Sequence, residues 1–479
     1  MSKYIENPFD YEAVHAQAGY VIQNRKHLKR SAVERYKKVY DEKCRLSKEE
    51  AERAKACIPG GIQHNLANNY PFSIAMDRAE GPYLYDIDGN RYIDFLCAGG
   101  PIILGNNYPA VRDATVDMLR EKGPVTGLYS VKEREFSELI CKYYPSVEMV
   151  RMMGSGTEAD IIAIRLARAY TGKKHIIRIL GGYHGWSDQL VYNGGTAAED
   201  NGMCRGIPGD CYQYTHAVPV NDLEILEHEI LKHQKDGGAA AFIMEAVGQD
   251  SGIVPTTIEY HREAEKLCRK YGMLLVYDEV VTGFRLGMGG AQAIYGTKPD
   301  ITVFGKIIGG GLPAAGALGG RREIMDLLAA GINAAAEKKV KVGGTLSANH
   351  LTACAGLAAI RALEAEQVHE KLSGAADYFM REISAMTEKY EIPAILFNHQ
   401  SILHIDLGGL QHIPYFYKDG PKMKAQVMDA YMNMVELSMA LAAEGLIVAV
   451  GGKTYLSLDT TKVLDDALEI YDKVLGQYE

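Results

Sequence analysis

The sequence predicts an α/β protein: a large domain on a mostly parallel central sheet, with a small α+β domain drawn from both termini. Three observations carry this. Between about residues 110 and 350, helical stretches such as Glu158–Tyr170 and Glu259–Tyr271 alternate with short strands, the pattern that covers a parallel sheet with helices on both faces. The strands Ile176–Leu180, Ala240–Glu245, Leu274–Asp278 and Ile301–Phe304 read as nearly continuous apolar runs rather than alternating ones, as strands buried on both faces should. The two ends of the chain have a different texture, helix-rich with short strand-like pieces. The expected division is 1–105 for an N-terminal helical arm and small-domain segment, 106–350 for the large domain, and 351–479 for the C-terminal small domain.

In chain order, residues 1–58 read as polar helix. Seven basic residues and one acid fall between Arg25 and Lys38, a pattern that usually marks a solvated face. Ser47 with Glu50 forms a capping-box signature for a helix that Pro59-Gly60-Gly61 stops. Residues 81–95 alternate around Asp88-Gly89-Asn90 and read as a hairpin. After 351 come a long helix, the strand-like pieces Ile402–Leu407, Leu446–Val450 and Tyr455–Leu458, and a terminal helix.

Composition narrows the function. The chain has 479 residues and a formal net charge of −9, so it lacks the basic balance of a general nucleic-acid binder. Its eight cysteines, Cys204 among them, are scattered with no Cys-x-x-Cys pair. Reduced thiols, a cytoplasmic location and no metal site are the expectation. No apolar run reaches the ~20 residues of a membrane span.

In an open parallel sheet, chemistry collects beyond the carboxyl ends of the strands. Four such ends are suggestive. Leu274–Tyr277 runs into Asp278-Glu279, and a buried carboxylate at a strand end is costly unless something cationic pairs with it. Ile301–Phe304 runs into Gly305-Lys306 and then glycines, a setting that desolvates a lysine into an amine nucleophile. Met152–Gly156 leads through Ser155 and Thr157 into a helix, whose N-terminus suits an anion. Ile176–Leu180 runs into Gly181-Gly182-Tyr183-His184-Gly185-Trp186, which holds the only tryptophan. A phosphate cradle, an aromatic platform, an acid and a lysine are together what pyridoxal phosphate chemistry requires. The segment Gly309-x-Gly311-x-x-Ala314 also satisfies a dinucleotide fingerprint on paper, with Pro313 sitting in its loop.

The stretches EGPYLYDIDGNRYIDF, GSGTEADIIAIRLARAYTG, GGYHGW, MEAVGQDSG, VYDEVVTGFR, FGKIIGGGLPAAGALGG and GGTLSANHLTACAG resemble the class III (ornithine/ω-type) aminotransferases of the fold-type I pyridoxal phosphate enzymes. The glutamate-1-semialdehyde aminomutase subgroup is the nearest in look, and the resemblance covers about residues 45–475. It implies pyridoxal 5′-phosphate, with Lys306 as the Schiff-base lysine and proton shuttle. Asp278 would pair with the pyridine nitrogen and Val280 would pack on the ring. Ser155, Gly156 and Thr157 would hold the phosphate. Tyr183 would stack on the ring, with His184 beside it and Glu245 near the ring hydroxyl. Thr345 would reach the phosphate of a partner subunit, so a homodimer or higher homo-oligomer is implied.

The substrate half departs from that subgroup. Ala67 stands where its substrate-carboxylate arginine falls, and Gly99 replaces a tryptophan. Tyr129-Ser130-Val131 replaces Gly-Ala-Pro, and Gly452 replaces an acid. His64 and Lys453 are candidate substitute anchors, with Tyr129 and Trp186 as further substrate contacts. The expected activity is transamination of an amino acid or related amine, with an oxo acid acceptor. A racemase, epimerase or aminomutase on the same scaffold is the alternative.

Overall fold

The computed structural model describes residues 3–5, 10–191, 205–329, 339–417 and 420–479. Cys204 lies outside these residues; the seven described cysteines are free thiols. Two compact units result. One joins the residues up to Tyr108 with Glu366–Glu479; the other is the uninterrupted stretch Pro109–Ala365.

The first unit begins with helices α1 (Tyr11–Asn24), α2 (Arg30–Lys43) and α3 (Arg45–Ala54), followed by strands β1 (Met76–Glu80), β2 (Tyr83–Asp86) and β3 (Arg91–Asp94). β2 and β3 form the antiparallel hairpin that the alternation indicates. The start of α3 differs from the sequence reading. Ser47 lies inside its first turn and is buried. The cap is Asp88 of the hairpin turn: it accepts from Leu46 N at 2.6 Å, and from Ser47 N and Oγ at 2.9 and 2.8 Å. Burial pushes the Asp88 carboxyl up, but those donors outweigh it and hold it below the usual carboxylate range. A tertiary cap has displaced the local one, and Pro59–Gly61 forms a separate 3-10 turn beyond the helix end. The basic run divides as well. Arg25 is tied to Asp429 and the Gly408 carbonyl, Arg30 to Glu436 at 2.7 Å.

The larger unit holds β4 (Met149–Met153), β5 (His175–Ile179), β6 (Thr215–Val218), β7 (Ala239–Glu245), β8 (Val254–Pro255), β9 (Leu274–Glu279), β10 (Ile301–Gly305) and β11 (Gly316–Gly320). Seven of these form one sheet in the order β4-β11-β10-β9-β7-β5-β6. All neighbours are parallel except β11, which runs antiparallel to both β10 and β4. β11 is Gly-Ala-Leu-Gly-Gly, an unusual strand composition. A Cβ at Gly316 would strike the Ser155 backbone, and one at Gly320 the Asp300 carbonyl. Because β11 follows Gly309–Gly311 where a nucleotide fold needs a helix, the dinucleotide fingerprint has no structural counterpart. The helix Gly156–Thr171 covers one face of the sheet and packs with its apolar residues into a core that includes Ala163, Ile176, Ile243 and Val276. The helix His350–Ala365 closes the unit.

The first unit is completed by β12 (Ile395–His399), β13 (Ile402–Asp406), β14 (Leu446–Ile447) and β15 (Lys453–Tyr455). They form a β12-β13-β15 sheet and extend the first one to β1-β2-β3-β14. No helix among the described residues is long and apolar enough to cross a membrane.

Three histidines meet at the β6 edge of the large sheet. One ring nitrogen of each of His175, His216 and His233 lies within 4.8 Å of the others. His233 stacks on both neighbours at 4.0 and 3.9 Å between centroids. Stacked rings aim their lone pairs along parallel planes, so this is a packed hydrogen-bonded group. His175 Nε2 donates to the Asp236 carbonyl and its Nδ1 lies 2.8 Å from His216 Nε2. Burial pushes His216 down to about 4, with the neighbouring His233 adding to the effect and Glu229 opposing it. The unfolded chain therefore binds this proton first, at about pH 6.5. Stability should fall as pH drops from about 6.5 to 4 and level off below; the full shift is about 3.4 kcal/mol, and solvent screening of the half-buried ring reduces the share from His216 to on the order of 2 kcal/mol. His216→Gln should flatten that slope in pH-resolved denaturant unfolding; parallel wild-type and variant curves would refute this origin.

Candidate active site

The carboxyl ends of β4, β5, β7, β9 and β10 all lie on one edge of the large sheet, because the antiparallel β11 restores β4 to the common direction. Glu245 and Asp278 are register partners on β7 and β9. Their side chains therefore leave the same face of the sheet, and Glu279, one residue on, leaves the other.

Alternation separates the roles of the Asp278-Glu279 pair. Glu279 is fully buried and accepts from Ala291 N, Thr282 Oγ1, Gln292 N and Gln292 Nε2 at 2.8 to 3.2 Å. It fixes the turn into the helix Gly290–Tyr295, with neutral donors where the sequence suggests a cation. Asp278 is buried on the site face. Its Oδ1 accepts from Val280 N at 3.0 Å and its Oδ2 from His184 Nδ1 at 2.8 Å. Burial pushes His184 toward the neutral form, and the bond to Asp278 opposes this only in part. With its proton on Nδ1, His184 carries a bare lone pair on Nε2, which is buried without a partner.

Glu245 accepts from Tyr183 N at 2.8 Å, which fixes the Gly181–Trp186 loop over the strand ends. The Tyr183 ring is exposed, as are Trp186, Tyr129 and Thr345. Lys306 follows β10 directly and takes φ +52°, a left-handed conformation that non-glycine residues adopt at a cost and mostly at functional sites. Ser155 caps the helix Gly156–Thr171 by accepting from Glu158 N at 3.2 Å. The first-turn N–H groups of that helix are an anion site by construction.

Backbone clearance is narrow around Val280. A Cβ at Gly156 would come within 2.8 Å of Val280 Cγ2, and one at Gly305 within 2.9 Å of Cγ1. At Gly185 it would overlap Thr157. The Ser155–Thr157 segment, Val280 and the segment bearing Lys306 thus approach one another only because these positions carry no side chain. The site offers a helix end suited to an anion, an acid on the sheet face, an apolar residue between them and a lysine just past the end of the adjacent strand. That set fits pyridoxal phosphate.

Two residues here were not foreseen. Asp160 and Arg178 are both buried, and they belong to the same cluster as Glu245 and Asp278. Arg178 donates to the carbonyls of Leu190 and Gly182. Burial pulls it down to about 10, opposed by Glu245, Asp160 and Asp278. His64 and Lys453 belong to the other compact unit. His64 Nδ1 accepts from Leu66 N at 3.0 Å as a local cap, and Lys453 lies half-buried on β15 beside His404.

A mostly parallel sheet flanked by helices, with this set at its carboxyl edge, defines a fold-type I pyridoxal-phosphate enzyme. Comparison with known proteins gives the family. Residues 65–406 match the family described as aminotransferase class-III, and the chain belongs to it. It is 37% identical over 368 residues to a glutamate-1-semialdehyde 2,1-aminomutase of Methanosarcina acetivorans, spanning 76% of this chain and 84% of that one. It is 38% identical over 405 residues to the enzyme of the same name from Desulforamulus reducens, spanning 83% and 90%. An omega-transaminase from Sphaerobacter thermophilus shares the structure with TM-score 0.80 at 26% identity, over 91% of this chain and 98% of that one. A glutamate-1-semialdehyde-aminomutase from Pseudomonas aeruginosa PAO1 has TM-score 0.79 over 94% and 98%, at 21% identity, and speaks to the fold alone.

Gly156→Ala should weaken uptake of pyridoxal phosphate by the apoprotein on the order of tenfold or more, since the new methyl overlaps Val280. Val280→Ala in the same chain should restore part of the loss. Unchanged binding by the single variant, read as fluorescence titration, would show that the clearance is not needed.

Proposed function

We propose that this class III enzyme moves an amine between carbons of a single small-molecule substrate, as an aminomutase-type isomerase. The observation that carries this is the 37–38% identity to glutamate-1-semialdehyde 2,1-aminomutases over most of both chains. Bound pyridoxal phosphate supplies an electron sink for charge on the carbon that bears the amine. Lys306 Nζ takes the proton from that carbon and returns it at the acceptor position. Asp278 would hold the ring nitrogen with a carboxylate that His184 and the Val280 N–H keep in place. Glu245 ties down the Tyr183 loop, whose ring would stack on the cofactor, and Ser155, Gly156 and Thr157 would anchor its phosphate. Thr345, exposed in one chain, would serve the phosphate of a second copy, so the working unit is a homodimer.

The second reading is transamination of a different amine with an oxo acid, the first expectation from the sequence. Ala67, Gly99, Tyr129 and Gly452 favour it, since they stand where the aminomutase subgroup carries its substrate-binding residues. His64, Lys453, Tyr129 and Trp186 are the proposed substrate contacts under either reading.

The loaded enzyme should convert glutamate-1-semialdehyde to an amine-shifted isomer with no oxo acid present. Product that forms only when an oxo acid is added, in equal amount to a new amino acid, would replace this reading by transamination. Loss of optical activity without an amine shift would indicate racemisation. Lys306→Ala should lower turnover by at least about 10³-fold under any of the three; turnover within tenfold of wild type would remove Lys306 from the chemistry.

A further inference from the structure

We propose that Asp160 is a positioning residue: it holds a proton behind the Asp278–His184 pair, so that Asp278 keeps its carboxylate for the cofactor's ring nitrogen. The proposal rests on the pyridoxal phosphate site described above. One oxygen of Asp160, one of Asp278 and one ring nitrogen of His184 all lie within 4.8 Å of one another. Asp160 reaches this place from the second turn of Gly156–Thr171, on the apolar face with Ala163, Ile164 and Ala167. It is 1% exposed.

Three carboxyl groups share this interior: Asp160, Glu245 and Asp278. Arg178 is the guanidinium that faces them, and His184 is held neutral by burial. With all three ionised, the pocket would carry two net negative charges with no water to screen them. One proton must therefore reside on the group served by the fewest donors. Asp278 has two, from His184 and Val280. Glu245 has the Tyr183 N–H. Asp160 Oδ1 has none. Burial, and then the charges of Asp278 and Glu245, push Asp160 well above the usual carboxylate range, and Arg178 offsets only part of this. Like carboxyl groups in one dry site cannot all ionise, and they share a proton between them.

The unmatched atoms support this assignment. A protonated Asp160 has an O–H to offer, and His184 Nε2 is a buried lone pair without a donor. One proton on Asp160 thus removes an excess charge and supplies the missing donor type next to the ring that holds Asp278. Asp160 does not touch the cofactor in this scheme. It acts through His184.

Infrared difference spectroscopy of the unloaded and loaded protein tests the protonation directly. The carboxylic C=O band of a buried neutral acid should be present at neutral pH and absent in Asp160→Asn. In the loaded enzyme, Asp160→Asn should leave the pH midpoint of the cofactor's visible absorbance in place, because a neutral amide replaces a neutral acid. Asp160→Ala should lower kcat with KM unchanged, and Asn should rescue most of that loss. The proposal is overturned if no band disappears in Asp160→Asn, or if that variant moves the absorbance midpoint by about one unit or more, the mark of a lost negative charge. Should Asp160→Ala fail to fold, the Asn comparison decides alone. A protein that never takes up pyridoxal phosphate would instead remove the cofactor site, and the band in the unloaded protein would still report on Asp160.

Discussion

The site is organised by one requirement: Asp278, buried at the end of β9, must find donors where water does not reach. Its two oxygens are met by the Val280 N–H and by His184 Nδ1. That pairing fixes the tautomer of His184, which leaves Nε2 bare. It also fixes the turn after β9, and with it Val280, the residue that Gly156 and Gly305 leave room for. The Ser155–Thr157 segment, the acid and the turn that bears Lys306 are thereby set relative to one another through a single carboxyl group. Glu279, one residue on, meets the same requirement on the opposite face with neutral donors, and the result there is a rigid turn rather than a reactive group.

Much of the fold could be read from the chain because the central strands follow one rule closely. β5, β7, β9 and β10 are buried on both faces, so their sequences are mostly apolar, and their ends point to Lys306, Asp278 and the Gly181–Trp186 loop. β11 was missed for the opposite reason. Its glycines are poor strand formers chosen for clearance against Ser155 and Asp300, and clearance leaves no trace in hydrophobic patterning. The start of α3 was misread because Asp88, distant in sequence, caps it more completely than Ser47 and Glu50 can. Local signatures report local competition only.

Asp160 and Arg178 left a signal that could have been used. Arg178 interrupts an otherwise apolar strand, His175–Ile179, and Asp160 interrupts the apolar face of the following-in-space helix Gly156–Thr171. A charge placed where burial is certain demands an opposite charge or a proton. Two such interruptions on elements that must pack together amount to a prediction of contact. The substrate end gave no comparable signal: neither His64 nor Lys453 is set into a buried apolar element as Asp160 and Arg178 are, so a structural side chain and a ligand-binding one read alike there.

The parallel pairing of β3 with β14 joins Ile93 to Leu446, and Tyr455 N closes a further bond to the Phe95 carbonyl at 2.9 Å. The unit at Pro109–Ala365 is contiguous and has all its strands once its own residues have left the ribosome. The other unit does not. At roughly 5–20 residues per second of synthesis, β3 waits tens of seconds for the strand that covers its edge. During that interval a nascent chain carries a finished catalytic sheet and an open sheet edge. Such an edge is where one chain can pair with another, until β14 arrives to cover it.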